Sequence, residues 1–105
     1  MPTEFQTRVY QLTSRVPRGK VTTYGAIAKA LGKKGHASRA VGQALNRNPF
    51  APTVPCHRVV QSDGKLGGFG GELATKIERL EKEGIKIADG RVLHFPRVLY
   101  TFNRA

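Results

Sequence analysis

Apolar residues recur at helical spacing in four stretches of the chain, with breakers between them. Phe5, Val9, Leu12 and Val16 repeat every three to four positions, so a helix is expected over residues 3 to 15. Thr3 can cap it, and Glu4 suits its electropositive first turn. Pro17-Arg18-Gly19 ends the pattern and Lys20-Val21-Thr22 reads as extended. Thr23 can cap a second helix, with Ile27 and Leu31 on its apolar face and Gly32 as its stop. After the turn Gly32-Lys33-Lys34-Gly35-His36, Ser38 can open a third helix ending near Asn46, with Val41, Ala44 and Leu45 inward. Two short helices around a glycine-bearing turn, flanked by Lys33, Lys34, Arg39 and Arg47, make the pattern of a helix-turn-helix over about residues 23–46. Ala40, Gly42 and Ala44 keep one face of the third helix small, which lets it lie close to DNA or to another helix.

From Asn48 onward the pattern changes. Prolines 49, 52 and 55 forbid helix and hold the chain extended as far as Cys56. Val59-Val60 reads as a short buried strand, and Ser62-Asp63-Gly64-Lys65 as a turn. In Leu66-Gly67-Gly68-Phe69-Gly70-Gly71, four glycines flank one ring. That is either a flexible loop or a place where backbone amides approach a flat ligand closely. A fourth helix is expected from Glu72 to Glu83, with Leu73, Ile77 and Leu80 inward and Gly84 as its stop. Glu72 with Lys76, and Glu78 with Lys82, are spaced as supporting ion pairs. Glu83 stands in the last turn, where a carboxylate opposes the helix dipole and so hints at a task elsewhere. Residues 85–93 read as a hairpin around Asp89-Gly90, after which Phe95, Val98, Leu99, Tyr100 and Phe102 pack back on the core. The whole is one domain, residues 1–105, mainly α with small β elements. It divides into the helix-turn-helix, an active-site stretch 48–71, a closing helix 72–83 and a C-terminal hairpin and tail 85–105.

Charge narrows the class of partner. Eighteen Lys and Arg against 7 Asp and Glu give a net charge of +11 in 105 residues. Such an excess suits a polyanion, nucleic acid first, although a basic surface serves solubility too. Arg18 and Lys20 could meet phosphate or simply be solvated. No apolar run approaches the roughly 20 residues that span a bilayer. With no signal-like N-terminus and one cysteine, an intracellular, reducing location is expected, cytoplasmic or with the DNA in nucleoid or nucleus.

The lone thiol is the candidate chemistry. Cys56 has no partner for an internal disulfide, so it is either a small buried hydrophobe or a nucleophile. His57 follows it directly, and a cysteine beside an imidazole in a positive field can become reactive. Such catalysis needs the thiol, a base, and a third group to orient the base.

Pro55-Cys56-His57-Arg58-Val59 resembles the active-site signature of the O6-alkylguanine-DNA alkyltransferases, which move an alkyl group from damaged guanine onto their own cysteine. Val16-Pro17-Arg18-Gly19-Lys20-Val21-Thr22-Thr23-Tyr24-Gly25 resembles that family's approach to its DNA-binding helices. Ala37 through Leu45 is similar to its recognition helix, Asn48-Pro49 to its hinge, and Gly64 through Gly84 to the following loop and helix. In order, these cover about residues 5 to 84. The resemblance implies a winged helix-turn-helix-like fold, the C-terminal catalytic and DNA-binding domain of the family. It implies Cys56 as nucleophile, His57 as base acting through a water, and Glu83 as orienter. Tyr24 would donate to the purine ring. The carbonyls of Cys56 and Val59 would accept from the exocyclic amine, and the Gly70 N–H would contact O6. Phe69 would line the substrate site and Asn48 would brace the hinge. Arg39 would fill the stack in place of the flipped base, with Tyr24, Ser38, Gln43, Lys33, Lys34 and Arg47 at the DNA.

The implied partner is double-stranded DNA carrying O6-alkylguanine, met by a monomer with no cofactor, no metal and no membrane. The reaction would be one irreversible transfer per molecule. Phe69 stands where many members have tyrosine, and Gly70-Gly71-Glu72 alters the usual serine-bearing loop. The length and aromatic tail also resemble the alkyltransferase-like proteins, which bind the lesion without transfer and recruit nucleotide-excision-repair factors. Those replace the active cysteine, which this chain retains. A plain transcription regulator would explain the charge but leave the Cys-His pair without purpose.

Overall fold

The computed structural model describes residues 2–32, 37–67 and 73–102. Helix α1 spans Glu4–Thr13, and Thr3 caps it reciprocally: its hydroxyl accepts from Gln6 N, while Gln6 Oε1 accepts from Thr3 N. Strand β1 is Thr22–Thr23, and the Thr23 hydroxyl then caps α2, Tyr24–Ala30, by accepting from Ala26 N at 2.9 Å. Helix α3 covers Ala37–Asn46. A 3-10 turn at Cys56–Arg58 leads into strand β2, Val59–Val60. Then come α4 at Leu73–Lys82, strands β3 at Ile87–Ala88 and β4 at Arg91–Val92, and the single-turn α5 at Phe95–Val98. The expected helices and hairpin are present, with ends displaced by one or two residues.

Two cores meet at the Cys56 turn. The first gathers Val9 and Tyr10 of α1, Ile27, Ala28 and Leu31 around α2, and Val41, Ala44 and Leu45 of α3, together with Val54, Cys56 and Val59. The second holds Val21, Val60, Leu66, Leu80, Ile85 and Val92. Alternation along β2 sends Val59 into the first core and Val60 into the second, so this dipeptide pins the active stretch between them. Burying a valine of this kind contributes about 1.5–3 kcal/mol. Strand β2 pairs in parallel with β1, Thr22 opposite Val59, and Val21 on the far edge takes Leu99 of the tail. Phe95 and Val98 close on the second core and Phe102 on the first, as expected of the tail.

The register of α4 departs from expectation. Leu73, expected inward, is 50% exposed, whereas Lys76, expected in an ion pair, is completely buried. Lys76, Leu80 and Glu83 form the stripe that faces the Cys56 turn. The Lys76 ammonium donates to two backbone carbonyls among the described residues, so the charge is held inside the fold. Glu72 lies outside the described residues. No helix among the described residues is long and apolar enough to cross a membrane.

Candidate active site

The proline-held stretch ends in a tight turn that leaves the Cys56 side chain 6% exposed at the seam of the two cores. Asn48 shapes its approach: Nδ2 donates to Val54 O and Oδ1 accepts from Phe50 N, both at 2.9 Å, so the side chain braces the loop. Next in the turn, His57 is 3% exposed. Its Nε2 lies 2.9 Å from Glu83 Oε2. A carboxylate can only accept, so Nε2 carries the proton and Nδ1 presents its lone pair. Nδ1 is buried and has no hydrogen-bond partner among the described residues.

Glu83, just past the end of α4, also receives Arg58. Nε donates to Oε1 at 2.9 Å and an Nη to Oε2 at 2.7 Å, a bidentate fork, while the other Nη donates to Val16 O at 2.8 Å. Burial pushes the Glu83 carboxyl up, but the hydrogen bonds and charges of Arg58 and His57 outweigh it and hold it below the usual carboxylate range. Burial lowers the His57 pKa from the ordinary 6.5, an effect that Glu83 opposes without reversing and that the charges of Arg58 and Arg79 reinforce. The imidazole is therefore neutral at pH 7, with Nδ1 left as an acceptor nitrogen.

Tyr24 opens α2 and lies between two glycines. A Cβ at Gly42 would come 3.8 Å from its ring, and one at Gly67 would come 3.4 Å from it and 3.1 Å from Gln61 Cγ. Gly67 also has φ +72°, a left-handed conformation that favours glycine. Burial, helped by the nearby cysteine, pushes the Tyr24 phenol up to about 12, which keeps it a donor. Tyr24, Ser38, Arg39, Gly42, Asn46 and Gln61 line one open cavity of about 310 Å³. Gln43 and Arg47 do not join it: they line a separate cavity of about 220 Å³ with Thr3, Phe5 and Gln6 at the seam of α1 and α3. Lys33, Lys34, Phe69 and Gly70 lie outside the described residues.

Sequence reasoning passed over four residues here. Arg58 was visible in the motif but not as the second partner of Glu83. Asn46 and Gln61 line the Tyr24 cavity without any motif to mark them. Lys76 Nζ donates to Val59 O at 2.8 Å and to Leu66 O at 2.6 Å, which only the tertiary fold could show. Burial pushes this ammonium down to about 8. Among the described residues, no three His, Cys, Asp or Glu come close enough to hold a metal ion.

A methylated-DNA–protein-cysteine methyltransferase of Mycobacterium leprae is 51% identical over 81 residues, 77% of this chain and 48% of that protein. The structure of Mycobacterium tuberculosis OGT in complex with DNA superimposes with a TM-score of 0.74 at 46% identity, covering 79% of this chain and 51% of that one. Schizosaccharomyces pombe Atl1 in complex with DNA containing O6-carboxymethylguanine gives a TM-score of 0.81 at 34% identity, covering 96% of this chain and 99% of that one. The chain thus spans about half the length of the methyltransferases it matches, and nearly the whole of Atl1. The profile of the 6-O-methylguanine DNA methyltransferase family, DNA binding domain, matches residues 4–85, and the chain belongs to that family.

Proposed function

We propose that the protein binds duplex DNA, flips O6-alkylguanine out of the stack, and transfers the alkyl group to Cys56 in a single irreversible turnover. The observation that carries this reading is the buried His57, tied through Nε2 to Glu83 with Nδ1 unpaired among the described residues, directly after the only cysteine in sequence. That is a nucleophile, base and orienter in sequence. The Cys56 proton passes through a water to Nδ1, and Glu83 stabilises the imidazolium that forms. Sulfur attacks the alkyl carbon in line, the S–C bond forms as the C–O6 bond breaks, and the electron pair leaves with guanine. Tyr24, a phenol that stays protonated, donates to the purine ring as that charge builds. The net exchange is thiol and alkylguanine for thioether and guanine, with no cofactor.

Net charge +11 supports binding to the DNA backbone, and Arg39 on the Tyr24 cavity suits a residue that fills the gap of the flipped base. Ser38 would contact the strand from the same cavity, while Gln43 and Arg47 would meet backbone farther along α3.

Intact mass after incubation with duplex DNA containing O6-methylguanine tests transfer: a gain of about 14 mass units is expected on the wild type and none on Cys56→Ala. A second reading has its own support, since Atl1 superimposes on this chain with a TM-score of 0.81 against 0.74 for OGT, despite its lower identity. Tight lesion binding with no gain in mass would favour that reading, damage recognition without transfer.

A further inference from the structure

A lysine with 0% exposure costs a protein more than an aliphatic residue in the same place, because the ammonium leaves water. Lys76 therefore calls for a reason, and its bonds to two carbonyls among the described residues supply one. Val59, whose carbonyl it holds at 2.8 Å, is the residue on which the Cys56 turn runs into β2. Leu66, held at 2.6 Å, precedes Gly67, the left-handed glycine against the Tyr24 ring. One ammonium thus joins the stretch that carries the nucleophile to the stretch that backs the tyrosine. Just past the end of the same helix, Glu83 grips His57 and Arg58. Lys76 and Glu83 are seven residues apart, two helical turns, with the fully buried Leu80 between them. Helix α4 consequently holds the Cys56–Val59 turn at two separate points.

We infer that Lys76 is a positioning residue of the site, a clamp between the Val59 and Leu66 carbonyls that sets the spacing between Cys56 and the wall carrying Tyr24. The inference rests on the transfer reading for its chemistry, but a slot for a flipped base needs the same spacing even if nothing is transferred. Its effect differs from that of a surface cation, which would act on any DNA. It also differs from a charge acting on the thiol, which would change the reaction with every electrophile.

The test compares wild type with Lys76→Met, which keeps the length of the stem and removes the donors. Folding is checked by thermal melting, and binding to lesion and undamaged duplexes is measured in a Cys56→Ala background. Single-turnover transfer and reaction with a small disulfide reagent are measured with Cys56 intact. A misplaced slot should lower transfer by about 100-fold. It should also abolish the preference for the lesion duplex, leaving undamaged-duplex binding and the small-reagent rate unchanged. The clamp is overturned if a folded Lys76→Met keeps both transfer and lesion preference. It is also overturned if the reagent rate falls in step with transfer, or if undamaged binding falls as far as lesion binding. Should Lys76→Met not fold, Lys76→Arg, which retains a cation but not the geometry, carries the same comparison, and unchanged transfer and lesion preference there overturn it. A wild type that transfers nothing overturns the transfer reading alone, and the lesion preference still decides the clamp.

Discussion

Glu83→Gln separates the orienting carboxylate from its neighbours with the smallest change in shape. In the wild type, Oε1 accepts from Arg58 Nε, while Oε2 accepts from both an Arg58 Nη and His57 Nε2. An amide has one acceptor oxygen, so its NH2 must face donors wherever it goes. Placed at the Oε2 position it would oppose two of them; placed at Oε1 it opposes only Arg58 Nε. The second arrangement wins, preserving the His57 tautomer but losing one bond outright and the charge from the other two. Hydrogen bonds to charged groups contribute about 1.5–3 kcal/mol each. With the pair only 7% and 17% exposed, solvent replaces little of the loss. The expected destabilisation is about 3 kcal/mol, the lower end for breaking a buried ion pair. At about 4–8 °C per kcal/mol in a domain of this size, the melting temperature falls by about 12–24 °C. The catalytic loss is separate: the imidazolium forms without a facing carboxylate, so transfer should slow by about 100-fold. Single-turnover transfer should be followed at a temperature where melting curves show both proteins folded, with binding to the lesion duplex measured alongside. Transfer at the wild-type rate, or lesion binding falling as far as transfer, would refute the orienting role and leave Glu83 a structural residue.

Acid should remove both activity and stability. His57 has a folded pKa below the free value of 6.5 and Glu83 one below the free value of 4.5. In each window the unfolded chain binds more protons, so stability measured by denaturant titration falls as pH drops below 6.5 and falls further through the carboxylate range. The acid limb of transfer should have its midpoint below that of free imidazole. Arg47→Ala should weaken binding to any duplex and flatten its salt dependence by about one ion, and an unchanged slope would take Arg47 off the DNA. Arg39→Ala should slow repair of duplex DNA strongly while sparing reaction with the free base O6-benzylguanine, where nothing needs flipping; Arg39→Lys should restore only part, lacking the planar guanidinium. Equal slowing of duplex and free base would reassign Arg39 to the active site itself.

What was legible in the chain was local. Thr3 and Thr23 announce their helices because a hydroxyl at the N-cap acts within three residues, and Asp89-Gly90 announces its hairpin because both residues adopt positive φ. Glu83 was detectable as an acid in the wrong turn of a helix, a conflict between a local rule and the observed residue. The pairing of β1 with β2 was not legible, since two-residue strands carry no period. Arg58 was hidden for a different reason. Its partners Glu83 and Val16 lie 25 and 42 residues away, and a basic residue in a basic chain draws no notice.

Lys76 shows most clearly how periodicity can mislead. Charged residues are seldom fully buried, so the expected stripe of α4 is Leu73, Ile77 and Leu80; Ile77 and Leu80 do pack on the second core, but Leu73 is exposed and Lys76 is buried. The buried face carries Lys76 and Glu83 beside Leu80 and Ile77, because the surface it covers includes backbone carbonyls and a His-Arg pair as well as the aliphatic side chains of the second core. A helix whose buried face is polar in this way contributes little to the core for its length, and only Leu80 is a fully buried apolar side chain on it. Its packing energy is therefore small compared with the three helices of the first core, while its hold on the Cys56 turn is double. Melting α4 alone should then cost the site both its orienter and its Val59–Leu66 tie before it costs the domain its fold, so the chemistry is expected to fail at a lower temperature or denaturant concentration than the helix-turn-helix does.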